Sequence, residues 1–421
     1  MAADQRGGRA MSLSMAALLR RGEVLAVTAA PGGQRLLHFA LVQAVCGTEA
    51  LGRFANDLSI AMMLGLFSAV GWSALVLARV PVAGEGRAAP VMLGLARGAV
   101  VFTLLACLPL PLLAWGGWLF EPGWTALLLA GWTAYTVARH YGLALTCYRP
   151  LLVLETLLVV LLTAGIVVDG GRHRWMPYAA LAVPTALLGL AGLVHLMRHR
   201  GHEAAALPAG SARTSAEQAA LNFVSAGMSM ILVPFTVRVA GEGYGGLVAL
   251  IGSLTSVLLL FPRALSFNAL PALARVVRQA GHREVRATLD TLRHDLIRVN
   301  TALSVLAVLA WCGLAWWGQR PDFALAGATA IFVLQLASFY VGQLVLPEAN
   351  YLQTVEETRL PLRVNVLSLV IFVAACGLVM LVAPPGVDAV LCLFAVLLGA
   401  TLSRNLLLRR AVLRRAPEVF A

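Results

Sequence analysis

Arginine and carboxylate side chains inside apolar runs are the residues of this chain best placed to do chemistry. The stretch Pro31–Asp57, PGGQRLLHFALVQAVCGTEALGRFAND, holds a Pro-Gly-Gly break, then Arg35 within an apolar run, then a turn through Glu49, Gly52 and Arg53. An arginine in the middle of a membrane segment is costly, so it faces a bundle interior or a wet cavity and marks a functional candidate. A helix break beside it can expose backbone polar groups, which a membrane tolerates only inside protein or along water. Asp57 and Glu155 are candidate proton or cation sites. Asp57 has an alternative role as a helix cap, and Glu155 sits close enough to an interface to reach water. Arg53 and Arg238 can pair with Glu49 or Glu242.

Other chemistries find no support. There is no GxxxxGK[ST] run, so ATP is not the direct drive. No Ser/His/Asp cluster, paired aspartates or HExxH motif occurs. The six cysteines, at 46, 107, 147, 312, 376 and 392, lack CxxC or His/Cys metal spacing and read as packing thiols. Neither metal nor cofactor is expected, and the chain does not read as an enzyme.

The elements that position these residues are membrane helices. The chain is 60% hydrophobic and 12% charged, with a mean hydropathy of +0.82, against roughly 25% charged in a soluble domain. Repeated apolar runs of about 20 residues specify an all-α polytopic membrane protein. About twelve spans are expected, near 24–46, 57–78, 91–115, 123–146, 151–168, 177–197, 216–238, 246–270, 299–318, 323–346, 362–383 and 387–408. Pro31-Gly32-Gly33 predicts a kinked or partly unwound first span. The polar start, MAADQRGGRAMSLSM, lacks a cleavable-signal pattern.

All 32 basic residues are arginine, and the net charge is +12. Most flank apolar runs, which is a topology signal rather than a nucleic-acid footprint. With the N-terminus cytoplasmic, 26 arginines fall on the inner side and five (53, 172, 174, 238 and 320) on the outer. That bias places both termini inside and requires an even number of spans. Trp115, Trp118, Trp124, Trp175, Trp311, Trp316 and Trp317 gather near the outer side like an aromatic belt.

The small-residue stretch RHRGHEAAALPAGSARTS at 198–215 falls near mid-chain. It predicts a six-helix lobe at 1–200, a cytoplasmic linker at 201–214 and a second lobe at 215–421. Apolar residues at helical spacing between arginines predict an amphipathic cytoplasmic helix near 272–298, an extension of the eighth span along the inner leaflet. An internal echo supports two halves. Glu49-Ala-Leu-Gly52 resembles Glu242-Gly-Tyr-Gly245 at a shift of 193, and Arg149-Pro150-Leu151 resembles Leu360-Pro361-Leu362. Such repeats are common in secondary transporters, with the substrate site at their interface.

Gly47 to Val70 (GTEALGRFANDLSIAMMLGLFSAV), Gly241 to Pro271 and the twelve-span layout together resemble one family. It is the polysaccharide-transporter branch of the multidrug/oligosaccharidyl-lipid/polysaccharide exporter superfamily, related to lipid II flippases and multidrug extrusion antiporters. The resemblance implies two pseudo-symmetric six-helix bundles around a central cavity that alternates between inward and outward openings. It also implies flipping of undecaprenyl-pyrophosphate-linked oligosaccharide across the bacterial inner membrane. The partners implied are membrane lipids, that glycan, and the polymerase and export machinery of its pathway. The lipid-flipping branches tend to have a cationic cavity, and Arg35 and Arg263 stand where its arginines are expected.

For that substrate arginine suits the pyrophosphate, because it stays charged and forms bidentate hydrogen bonds. The plainer roles are an intrabundle pair for Arg35 and snorkelling to the inner interface for Arg263. Gln34, His38 and Asn222 are candidates to bind sugar hydroxyls or to fill a polar seam between helices, and Arg53, at the outer mouth, is a further substrate-binding candidate. The competing readings are a cation-coupled multidrug antiporter, a membrane-embedded polymerase or glycosyltransferase, and a non-transporting assembly partner. The outer loops are short for such an enzyme.

Overall fold

The computed structural model describes residues 15–83, 87–197, 207, 210–258, 260–279, 281–318, 326–355, 357 and 359–420. All regular secondary structure in these residues is helical. The helices are α1 (Met15–Cys46), α2 (Thr48–Arg79), α3 (Ala88–Trp115), α4 (Pro122–Ala144), α5 (Tyr148–Asp169) and α6 (Met176–Met197). They continue with α7 (Ser211–Ala240), α8, described over two pieces (Glu242–Leu258 and Leu260–Gln279), and α9 (His282–Gly318). The last three are α10 (Ala328–Thr354), α11 (Arg359–Val382) and α12 (Val387–Arg415), followed by a final turn, Pro417–Phe420. The architecture is a twelve-helix membrane bundle in two halves, α1–α6 and α7–α12. Eight of these helices are by themselves long and apolar enough to cross a membrane, and the bent α7 is a ninth. The others carry more polar residues, such as Gln34 and Arg35 in α1 and Arg139 and His140 in α4, a composition suited to a bundle interior.

Lipid-facing surfaces show in the exposed apolar side chains: Val100, Leu104 and Leu108 on α3, Val153 and Val160 on α5, Val370 and Leu378 on α11. Inside, Phe39, Leu51 and Phe54 of the first half share one apolar core with Leu247, Ile251, Phe332 and Phe394 of the second. Trp311 departs from the expected belt, because it is buried and stacked on Phe332 at 4.5 Å. Trp124 and Trp175 stack on each other at 5.7 Å, and Trp115 is exposed. These tryptophans define a tryptophan-rich end of the bundle, and the opposite end is rich in arginine.

The structure changes several expectations. α1 is continuous through Pro31, Gly32 and Gly33, without unwinding. Its ladder survives because a proline removes one hydrogen bond and the neighbouring turns hold the helix. The arginine-rich stretch near 272–298 is not one extension of the eighth span. It divides at Gly281, and residues from His282 run without interruption into α9. Residues 211–214 of the expected linker belong to α7, and 201–206 lie outside the described residues.

The repeat is visible in backbone geometry, but in a different register. Gly47 (φ +91°) joins α1 to α2, and Gly241 (φ +86°) joins α7 to α8. A positive φ is open to glycine without the Cβ penalty, so a one-residue turn can reverse the chain there. Gly47 N–H donates to Gln43 O, and its own carbonyl accepts from Leu51. Gly241 N–H donates to Val237 O, and its carbonyl accepts from Gly245. These equivalent bonds lie 194 positions apart, not 193.

Candidate functional site

Arg35 lies on the face of α1 that carries Phe39, four residues on, and its guanidinium sits 5.2 Å from that ring. A cation over an aromatic face gains electrostatically from the ring quadrupole. No carboxylate pairs with Arg35 among the described residues, and its buried Nε has no hydrogen-bond partner. The first span thus carries an uncompensated guanidinium. Its neighbours Gln34 and His38 are committed elsewhere. Gln34 Nε2 donates to the Glu155 carboxylate and to the Glu155 carbonyl at 3.2 Å. His38 Nε2 donates to Pro177 O at 3.1 Å, which places the proton on Nε2 and leaves the buried Nδ1 unpartnered. Both belong to a polar seam between α1, α5 and α6.

Glu155 is the hub of that seam. It is 3% exposed. It accepts from the Tyr135 hydroxyl and from Arg139 Nε at 3.0 Å, while Arg139 Nη2 reaches Val27 O at 2.7 Å. A buried charge persists where it is paired and fully hydrogen-bonded, and this carboxylate meets both conditions. Tyr135 and Arg139 do not stand out in the sequence, where Arg139 counts among the inner-side arginines although the expected span 123–146 contains it. Their i, i+4 spacing puts both on one face of α4, and that is the available signal.

Asp57 is fully buried and receives several donors. Phe120 N–H lies 3.1 Å from Oδ1, Glu121 N–H 2.8 Å from Oδ2, and Asn56 and Tyr178 complete the set at 2.9 and 3.2 Å. Phe120 and Glu121 immediately precede α4. Asp57 therefore caps a neighbouring helix rather than its own, where a carboxylate also favours the positive end of the helix dipole.

Arg53 and Arg238 fasten the two halves together at the tryptophan-rich end. Arg53 Nη1 pairs with Glu242 across the halves at 2.6 Å. Arg238 donates to the carbonyls of Gly116 and Gly117 at 3.2 Å each and lies 5.4 Å from the Trp118 ring. Between them α2 and α8 approach closely. A Cβ on Gly52 would stand 1.8 Å from Glu242 O, and one on Gly246 would stand 2.2 Å from Thr48 O. At a shift of 194 these two contacts are equivalent, so the repeat is self-complementary here. Nearer the arginine-rich end, α2 and α7 stay in contact through Arg79 Nη1 to Ser211 Oγ at 2.5 Å and the pairing of Phe67 with Phe223 at 5.6 Å. The second piece of α8, by contrast, packs chiefly on α9 and α10 of its own half.

Asn222 lies on α7, and its Nδ2 donates to Gln218 O at 2.8 Å. The backbone of Arg263 is in the second piece of α8, and its side chain lies outside the described residues. The structure therefore brings Gln34 and Glu155 together, leaves Arg35 beside them on an adjacent face, and places Arg53 in an ion pair with Glu242 and Asp57 among backbone donors at one end. No group of three His, Cys, Asp or Glu residues suited to a metal occurs among the described residues. A recess of about 330 Å³ between α4, α5 and α6 is walled by Leu151, Leu154 and Leu188 and holds little polar surface.

No family model matches the chain, and none of the curated proteins resembles it closely enough to count as a relative. Solved structures do. An inward-facing multidrug resistance MATE family transporter of the MOP superfamily is 11% identical, with a TM-score of 0.60 over 96% of this chain and 98% of that one. The eukaryotic MATE transporter AtDTX14 is 12% identical, with a TM-score of 0.59 over 95% and 96%. A MOP-superfamily transporter from Pyrococcus furiosus, described as having a binding pocket of reverse polarity, is 14% identical, with a TM-score of 0.51 over 94% and 95%. The chain shares the fold of these transporters across nearly its whole length.

Proposed function

We propose that this multi-pass membrane protein is a transporter that flips an undecaprenyl-pyrophosphate-linked oligosaccharide across the bacterial inner membrane by alternating access. The observation that carries the reading is the sign of the uncommitted charge. Glu155 is neutralised by Arg139, and Asp57 is saturated by four donors. Arg35 has no carboxylate partner among the described residues. A pyrophosphate is the natural complement of such a guanidinium, which offers two parallel N–H donors and keeps its charge in a low-dielectric site. Arg263 is a second cation for the same headgroup. Gln34 and His38 would meet sugar hydroxyls only by leaving the seam, so in this conformation their role is to hold α1 in place. Both termini are assigned to the cytoplasm on the arginine bias, and polymerase and export machinery of the same pathway are the proposed partners.

The contacts between the halves support the alternating-access part. Arg53–Glu242 and the Gly52/Gly246 contacts join them at the tryptophan-rich end, while the second piece of α8 packs chiefly within its own half. With no nucleotide motif, the drive is the membrane potential or an ion gradient, about 2.3 kcal/mol per charge per 100 mV. The second reading, a cation-coupled multidrug antiporter, draws on the MATE neighbours; it requires an acidic site, and Glu155 would have to be released from Arg139 to supply one. Reconstitution in liposomes separates the two. The flippase reading expects movement of a labelled polyprenyl-pyrophosphate glycan that Arg35→Gln abolishes. Proton-coupled efflux of a cationic dye, with no glycan movement, sinks it.

A further inference from the structure

The second half contains a polar cavity that the transport reading does not use. It measures about 290 Å³ and lies between α7, α10, α11 and α12. Its polar lining includes Ser229, Gln335, Gln343, Asn365, Thr401 and Arg404. Arg404 lies well inside α12, five residues before the pair Arg409-Arg410, although the arginine count groups it with the C-terminal tail. Among the described residues its one polar contact is Nη2 to the Oδ1 of its neighbour Asn405, at 3.3 Å, and no carboxylate pairs with it. Asn405 is itself held by Val341 O at 2.6 Å. Opposite stand Gln335 and Gln343, 4% and 8% exposed, each with a buried Oε1 that has no donor. Gly342 leaves open the space before the guanidinium: a Cβ there would lie 3.9 Å from Arg404 Nη2.

An unpaired guanidinium and two unsatisfied amides around one hollow are costly in an apolar setting, unless a guest completes their bonds. The register of the repeat adds a second argument. At a shift of 194 the counterpart of Arg35 is Ser229, which lines this cavity. The two halves thus offer related sites, with the cation supplied by the first helix in one and by the last helix in the other.

We propose that this cavity binds a phosphate group carrying hydroxyls, with Arg404 on the phosphate oxygens and Gln335 and Gln343 on the hydroxyls. A planar guanidinium matches phosphate geometry, and an amide offers both a donor and an acceptor to a hydroxyl. The apolar part of the lining, including Met228, Phe339 and Leu397, leaves room for carbon skeleton but no second charge. The same chemistry comes from a lipid headgroup or from a soluble sugar phosphate.

The test uses the full chain in detergent. Native mass spectrometry measures phosphatidylglycerol against phosphatidylcholine, and equilibrium dialysis measures radiolabelled glucose 1-phosphate against inorganic phosphate. Saturable binding of phosphatidylglycerol over phosphatidylcholine assigns a lipid headgroup, and binding of glucose 1-phosphate over inorganic phosphate assigns a soluble one. Either result supports the proposal if Arg404→Gln weakens it about tenfold or more, the scale of one charged hydrogen bond. Arg404→Lys should recover part of the loss, and Gly342→Leu should block the site from the opposite wall. Arg35→Gln should leave this binding unchanged, which separates failure here from failure of the flippase reading. Absence of both preferences in the wild-type chain overturns the proposal whether or not a variant folds. So does binding that Arg404→Gln and Gly342→Leu leave intact.

Discussion

Glu155 and Arg139 carry opposite charges in the interior of the first half, and the consequence is asymmetric. Removing one partner leaves the other buried and uncompensated, whereas removing both leaves only a cavity. Glu155→Ala is therefore expected to destabilise the protein by about 3–5 kcal/mol, read as a lowered melting temperature in detergent. Glu155→Leu combined with Arg139→Leu should cost less than Glu155→Leu alone, a coupling that a double-mutant cycle measures directly. Additive losses would mean that the two charges do not act as a pair. At this scale the sequence was readable for residue type and poorly readable for partnership. Gln34 and Glu155 are 121 positions apart, and only the packing of α1 on α5 joins them. Arg35 was identifiable because a lone arginine in an apolar run announces itself. Arg139 and Arg404 were not, because Arg139 lies near the end of α4 and Arg404 counts with the basic C-terminal tail, so both passed for flanking charges.

Helix contacts supply the next scale, and glycine controls the closest of them. Gly52→Ala forces a Cβ against Glu242 O, which is backbone and cannot rotate away, so α2 and α8 must separate. The expected loss is about 1–3 kcal/mol, as for an overpacked core. Gly243, one residue into α8, is different: a Cβ there would have nothing within 4 Å. Gly243→Ala should be neutral or slightly stabilising, since alanine favours the helix. Equal melting temperatures for the two variants would remove the close-approach account. The echo of Glu49-Ala-Leu-Gly52 in Glu242-Gly-Tyr-Gly245 fell just past both turns, but it showed neither their glycines nor the register. Matching Glu49 to Glu242 favoured 193, whereas the hydrogen bonds at Gly47 and Gly241 impose 194. Identity of side chain misled where backbone conformation decided.

The arginine-rich end offers a pH-dependent contact between elements. Glu357, ahead of α11, accepts from the Leu360 N–H at 3.1 Å and from Arg415 at the end of α12. The backbone N–H, and then the guanidinium, hold its carboxyl below the usual carboxylate range. Because the folded value lies below the unfolded one, the contribution is complete above about pH 4.3. It fades as pH falls through the folded value. Glu357→Gln should therefore lower the melting temperature at neutral pH, and the difference should shrink as pH falls below about 4. A difference that stays constant over that range would rule out this linkage.

For the whole molecule, the twelve-helix architecture was legible from hydropathy, because a membrane restricts the chain to satisfied helices. What hydropathy could not convey was how the two halves meet at the tryptophan-rich end. That depends on Arg53–Glu242, Arg238 on the Gly116 and Gly117 carbonyls, and the Gly52/Gly246 approach, all contacts between helices from opposite halves. The proposed cycle opens this end while closing the other around Arg35 and its substrate. The most direct measurement is flipping of a labelled polyprenyl-pyrophosphate oligosaccharide by the purified chain in liposomes, compared among wild type, Arg35→Lys and Arg35→Gln at equal protein incorporation. The account predicts transport by wild type, reduced transport with lysine as a single point charge, and none with glutamine. Wild-type flipping by Arg35→Gln would contradict it.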